Sequence, residues 1–164
     1  MIVLGIDPGT ATVGYGFVRE DDDGTLEAVA YGVITTSPAD AMPQRLRQLY
    51  QELTRLVQAY QPDVAAIEQL FFGKNITTAI SVAQGRGVLI LALANAGVEV
   101  REYKPHEVKQ TITGYGNASK TQMQQMVQEL LGLEHVPRPD DAADALAVAL
   151  TDLRRAQFDR LISE

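Results

Sequence analysis

Apolar positions come as short β-branched runs in the first third of the chain and as three- and four-spaced stripes through most of the remainder. Ile2 to Ile6, Val13 to Arg19 and about Leu26 to Thr35 read as three strands of an antiparallel meander, with the acidic turn Asp21 to Gly24 between the second and third. After Pro43, suited to a first helical turn, Leu46, Leu49, Tyr50, Leu53, Leu56, Val57 and Tyr60 recur at helical spacing until Pro62 stops them. Val64 to Glu68 is another short buried-strand run. A loop from Gln69 to Asn75 then leads into a long helix of small residues through Ala96, with Gly97 as its cap. Val98 to Tyr103 predicts a fifth strand. Helices over Pro105 to Ile112, Ser119 to Leu131 and Asp141 to about Leu161 complete the chain, the middle one capped by Ser119 and separated from the last by Pro137-Arg138-Pro139. No repeat or linker interrupts this order. It predicts a single α/β domain over 1–164 with a mixed sheet, the first and fourth strands parallel neighbours and the residues after about 155 a loosely ordered helix end.

Four acids occupy special places in that pattern. Asp7 follows the first strand and precedes the Pro8-Gly9 turn, and Glu68 closes the fourth strand. Both thus sit at strand carboxyl ends, where open α/β sheets collect their ligands. Asp141 and Asp144 open the last helix three residues apart, which puts both on one face. Converging carboxylates suit divalent cations and phosphate chemistry. Taken singly, Asp7 also reads as a turn residue and Asp141 as a charge meeting the helix dipole. Neither reading explains why Glu68 should end a buried strand as well.

Composition narrows the chemistry. Among 164 residues there is no cysteine, which excludes disulfides, a thiol nucleophile and the usual zinc ligands. His106, beside Pro105 at a helix start, reads as a surface residue, and His135 lies in a loop with no acidic partner. Any metal is therefore expected to be a hard cation held by oxygens. The longest unbroken apolar run, Val88 to Ala94, is far short of the ~20 residues of a membrane span, and no basic flank precedes Asp7, so a soluble, cytoplasmic protein is expected.

The net charge of −7 by itself argues against nucleic acid as a partner. Its distribution softens that reading, because Glu20, Asp21, Asp22, Asp23 and Glu27 crowd one hairpin tip. Between Arg101 and Lys120 the balance reverses, with Arg101, Lys104, Lys109 and Lys120 against Glu102 and Glu107. By composition alone, Lys109 and Lys120 are solvated surface charges, and Arg154, Arg155 and Arg160 a solvated helix face. Gly85 and Gly87 inside the long helix imply close approach of another backbone, either across a dimer surface or onto the chain's own sheet.

Four blocks carry a family resemblance. Gly5-Ile6-Asp7-Pro8-Gly9-Thr10, Ala66-Ile67-Glu68-Gln69-Leu70-Phe71, Val108-Lys109-Gln110-Thr111 with Gly114-Tyr115-Gly116, and Asp141-Ala-Ala-Asp144-Ala-Leu resemble the RuvC Holliday-junction resolvases in order and spacing, over about residues 1 to 153. The resemblance implies a ribonuclease H-like fold: a mixed five-stranded sheet, three antiparallel strands plus two parallel, flanked by helices. It implies a homodimer that nicks opposed strands of a four-way DNA junction, with a branch-migration complex of RuvA and RuvB as partner in recombination repair. It also implies two Mg²⁺ per site, Mn²⁺ able to substitute, and water as the nucleophile. The family's metal ligands match Asp7, Glu68, Asp141 and Asp144. Asp140 is an extra neighbour outside the register set by the two alanines between acids. The aromatic that meets bases at the junction centre matches Phe71, with Phe72 left to the core, and the DNA-contacting lysines match Lys109 and Lys120. Tyr115 carries no role. So many like charges close together predict that some acids keep a proton until metal binds.

Three rival readings remain. An ATPase of the actin and sugar-kinase type shares a strand followed by an Asp-Gly-Thr turn, but needs a second domain around its nucleotide. A shorter RuvC-related family fits the Glu68 and Asp141 to Asp144 blocks less well. A junction-binding scaffold without catalysis conflicts with an intact acid quartet.

Overall fold

The computed structural model describes residues 1–69 and 75–163. Its elements are β1 (Ile2–Asp7), β2 (Thr12–Glu20), β3 (Leu26–Thr35), α1 (Met42–Tyr60), β4 (Val64–Glu68), α2 (Ile76–Asn95), β5 (Glu99–Tyr103), α3 (Pro105–Thr113), α4 (Lys120–Leu130) and α5 (Asp140–Ile162). The strands form one mixed sheet in the order β3-β2-β1-β4-β5. β1 runs antiparallel to β2 and parallel to β4, as its neighbour, while β5 joins β4 in parallel. The carboxyl ends of β1 and β4 therefore emerge side by side at the centre of the sheet.

Local chemistry sets the element ends. α1 stops where Gln61 turns left-handed at φ 48° ahead of Pro62. The Asn75 side chain caps α2 by accepting from Thr78 N at 3.2 Å, and Gly97, at φ 73°, turns the chain after it. Ser119 and Gln122 close a reciprocal capping box at the start of α4. α5 begins one residue before the predicted position, with Pro139 at its amino end, and continues as regular helix to Ile162.

The strand alternation divides the core. Leu4 and Ile6 of β1 face α1 and α2, where they join Phe17, Leu49, Leu53, Ile67, Leu89 and Leu93. Val3, Ala66 and Tyr103 face the other way, into Val108, Val127, Leu146, Leu150 and Leu153 of α3, α4 and α5. On this second side α5 lies directly against the sheet. A Cβ on Gly5 would come 1.9 Å from the Ala145 carbonyl oxygen, one on Gly14 1.9 Å from that of Asp141, and one on Gly16 2.6 Å from the Leu146 side chain. Three glycines on two neighbouring strands thus clear the bed in which the first half of α5 rests.

The two helical glycines behave differently from each other. Gly85 is buried against the chain's own Gly9 carbonyl, 2.9 Å from where a Cβ would stand, whereas Gly87 faces open space. α2 is also long and apolar enough, at 20 residues, to meet the requirement for a membrane span, although the unbroken apolar run within it extends only from Val88 to Ala94. Its outer face leaves Ile76, Ile80 and Leu91 more than half exposed, at 72, 54 and 53%.

Candidate active site

Asp7 ends β1, Asp141 and Asp144 stand in the first turns of α5, and the glycine bed holds that helix against β1 and β2. As a result one carboxylate oxygen from each of the three lies within 4.8 Å of the others. Glu68, at the end of β4, stands beside this group: its charge, with those of Asp144 and Asp141, acts on Asp7. It lines one cleft together with Asp144. Its backbone is fixed by pairing with Tyr103 of β5, continued one residue further where Gln69 N donates to the Tyr103 carbonyl at 2.8 Å.

So much negative charge at the sheet centre disfavours full ionisation. Burial, and then the charges of Glu68, Asp144 and Asp141, push the Asp7 carboxyl up to about 8, and a hydrogen bond to Asp141 adds to the effect. Asp7 is thus pushed toward its protonated form. Glu68 is raised by burial and by Asp144, against the opposing pull of Lys109. Burial likewise raises Asp144, with Lys120 pulling the other way.

The two lysines face this cluster. Glu68, Asp144, Lys109 and Lys120, with Pro105 and Met123, line a cleft of about 300 Å³. Lys120 Nζ lies 3.3 Å from Asp140 and 4.0 Å from Asp144, and the Asp144 charge holds its ammonium above the usual lysine range. Asp140 points elsewhere than its neighbours. It accepts from Arg138 and, at 3.1 Å, from Gln124, and its bond to Lys120 holds its carboxyl low. It anchors a lysine and stands apart from the three-acid group.

Phe71 and Phe72 lie outside the described residues. Tyr115 is exposed on the turn after α3, His106 and His135 are both exposed, and none of the three lines a described cleft around the acids. Sequence reasoning passed over Asp152, which is 0% exposed in α5. Its carboxylate accepts from the Tyr103 hydroxyl at 2.7 Å and from Arg101 at 3.3 Å, tying β5 to α5 below the acid cluster. The available signal was an acid on the buried face of an otherwise apolar helix, which demands a partner.

Donor chemistry and spacing together fit a divalent cation. The three converging groups are hard oxygens, they lie within coordinating reach of one centre, and their charge exceeds what the lysines offset.

Comparison with known proteins points the same way. The profile of the family described as crossover junction endodeoxyribonuclease RuvC matches residues 3–152. A crossover junction endodeoxyribonuclease RuvC of Chloroflexus aggregans is 58% identical over 150 residues, 92% of this chain and 91% of that one. Its counterpart in Roseiflexus is 54% identical over 161 residues, covering 98% and 95%. Among solved structures, Thermus thermophilus RuvC in complex with a Holliday junction substrate superposes with a TM-score of 0.92 at 34% identity, over 97% of this chain and 96% of that one.

Proposed function

The chain belongs to the RuvC family of crossover junction endodeoxyribonucleases, metal-dependent nucleases of ribonuclease H-like fold, and from that premise we propose how its own residues divide the work. The activity is hydrolysis of DNA strands at a four-way junction. Asp7, Glu68, Asp141 and Asp144 would hold the metal, as two Mg²⁺ ions with Mn²⁺ able to replace them. The observation that carries this reading is the convergence of Asp7, Asp141 and Asp144 oxygens within 4.8 Å. Bound divalent cations supply charge stabilisation of the phosphodiester and activation of water.

The remaining steps belong to the protein. Asp7 would give up its proton to a bound cation, whose charge would offset the burial and the neighbouring carboxylates that raise its pKa. Lys109 and Lys120 hold backbone phosphate in the cleft beside Glu68 and Asp144. Asp140 keeps Lys120 at its post. Phe71 meets unpaired bases at the junction centre, where a stacked aromatic serves any base. One acid cluster cuts one strand, so paired symmetric nicks need two chains.

The second copy docks on α2. Ile76, Ile80, Ala83, Gly87, Leu91 and Ala94 follow one another in three- and four-residue steps and are all exposed. They form an apolar stripe whose central glycine permits close approach of a partner backbone. Covering the stripe with protein fits a cytoplasmic enzyme working with a RuvA and RuvB branch-migration complex.

A labelled synthetic four-way junction, with linear duplex as control, tests the whole reading. Paired nicks in the junction alone are expected with Mg²⁺ or Mn²⁺ and none with chelator. A junction bound but left uncut in either metal would make the protein a binding scaffold.

A further inference from the structure

A second cleft borders the acid cluster at Asp141 and shares no lining residue with the lysine cleft. Its volume is about 490 Å³, and Asp141 forms one wall, as Asp144 and Glu68 do in the lysine cleft. Facing Asp141 are Arg45 of α1, the Thr10 turn after β1, and Thr77, Thr78 and Ser81 of α2. Acids of one cluster thus line two separate clefts, each furnished with hydrogen-bond donors.

Arg45 is built into this place. The Thr36 hydroxyl is buried, donates to the Thr10 carbonyl at 2.6 Å and accepts from Arg45 Nε at 3.0 Å. The Thr10 hydroxyl is itself buried and pairs with Ser81 at 2.6 Å. The β1–β2 turn, the end of β3, α1 and α2 are locked together through these hydroxyls, and the guanidinium is oriented by one edge. Its two terminal nitrogens make no hydrogen bond or ion pair among the described residues. Lys120 is different, because Asp140 and Asp144 already draw on its charge. A half-buried, oriented guanidinium with a free fork has the geometry that takes phosphate oxygens in a bidentate pair.

We propose that Arg45, with Thr77, Thr78 and Ser81, forms a backbone-phosphate subsite for the cleaved DNA strand on the Asp141 side of the acid cluster. The proposal rests on the nuclease reading above and deepens it. Successive phosphates of one strand are only about 3.4 Å apart along the helix axis. A strand that crosses the acids from one cleft to the other places phosphates next to the cleaved one in both clefts. Lys109 and Lys120 receive one side, Arg45 the other. A strand held at both ends cannot slide along the acids, which gives the subsite a positioning role in addition to its share of affinity.

The test uses junctions in which single phosphates around the cut site are replaced by uncharged methylphosphonates. Binding is measured in chelator, where nothing is cut, for the wild type, Arg45→Gln, Arg45→Lys and Lys109→Ala, with thermal melts to check folding. Wild-type protein should lose affinity at methylphosphonates on both sides of the cut. Arg45→Gln should bind the unmodified junction about tenfold more weakly and lower the slope of log affinity against log salt by about 1. It should also become indifferent to the methylphosphonate on one side only, a specific loss that general destabilisation would not produce. Lys109→Ala should be indifferent on the opposite side, and Arg45→Lys should recover the salt slope. An Arg45→Gln protein with the wild-type slope and the wild-type methylphosphonate profile overturns the subsite. If that protein and the wild type both still cut junctions in Mg²⁺, the nuclease reading survives its loss; a wild type that cuts nothing would fail that reading instead.

Discussion

At the scale of single residues the Asp7 carboxyl is the most strained group in the site, and the strain has a sign. In the unfolded chain this acid ionises near its ordinary 3.8, whereas in the metal-free fold burial and three neighbouring acids hold it up to about 8. Well below pH 3.8 both states carry the proton and Asp7 has no influence on stability. Between those values the folded chain binds more protons than the unfolded one, so stability falls as pH rises, and the full penalty is present above pH 8. Asp7→Asn removes the buried charge. It should leave stability at pH 4 nearly unchanged and raise the melting temperature in chelator by several degrees at pH 8. Metal should do the same for the wild type at pH 8 and much less for Asp7→Asn. If Asp7 holds metal, as proposed above, cutting should be lost in that variant while junction binding stays close to wild type. Equal melting shifts at pH 4 and pH 8 would show that the repulsion is not the cause. The four acids were legible in the sequence because each ends a strand or starts a helix. The duty of Asp140 was not, because its bonds to Lys120 and Gln124 come from a different helix and leave no local trace. Arg45 was equally silent, an ordinary arginine on a helix until β3 brought Thr36 beneath it.

Elements carry the acids to one another, and the contact that matters most is α5 on the sheet. Glycine at 5 and 14 serves here because there is no room for a methyl group between strand and helix backbone. Gly14→Ala would put a carbon 1.9 Å from the Asp141 carbonyl oxygen, so the first turn of α5 must lift. We expect it to cost about 3 kcal/mol or more in urea unfolding. Surviving protein should bind metal more weakly, measured by calorimetry, because Asp141 and Asp144 move away from Asp7. The opposite end of this contact is pinned by Asp152. Tyr103→Phe removes its 2.7 Å donor and should cost about 1 to 3 kcal/mol, with Arg101 left as the carboxylate's remaining side-chain partner. Element order and strand direction were readable because turns and caps here follow local rules: Gln61 before Pro62, Gly97 after α2, the Ser119 box. The packing of α5 was harder to read. Gly14-Tyr15-Gly16 resembles any loosened strand until a helix backbone is known to cross it.

For the whole molecule the question is how an acidic chain holds a polyanion and cuts it twice. The net charge of −7 overstates the repulsion, because the acidic hairpin tip between β2 and β3 contributes no residue to the lysine cleft, and bound metal would offset the site's own acids. What a single chain cannot supply is a second acid cluster: the described residues hold one group of three carboxylates at coordinating distance. Two simultaneous cuts therefore require two copies, and the exposed stripe on α2 is the apolar surface that a second copy would cover. Leu91→Lys places a charge on that stripe at a side chain 53% exposed in the single chain, so the fold should stay intact by circular dichroism. Light scattering should then report monomers for the variant, against the dimers expected of the wild type. On a supercoiled plasmid carrying an extruded cruciform, which is linearised only if both nicks occur within one binding event, the variant should release nicked circles in place of linear product. Linear product at the wild-type proportion from a monomeric variant would break the link between α2 pairing and paired cutting, and a variant that remains dimeric would move the interface off this helix.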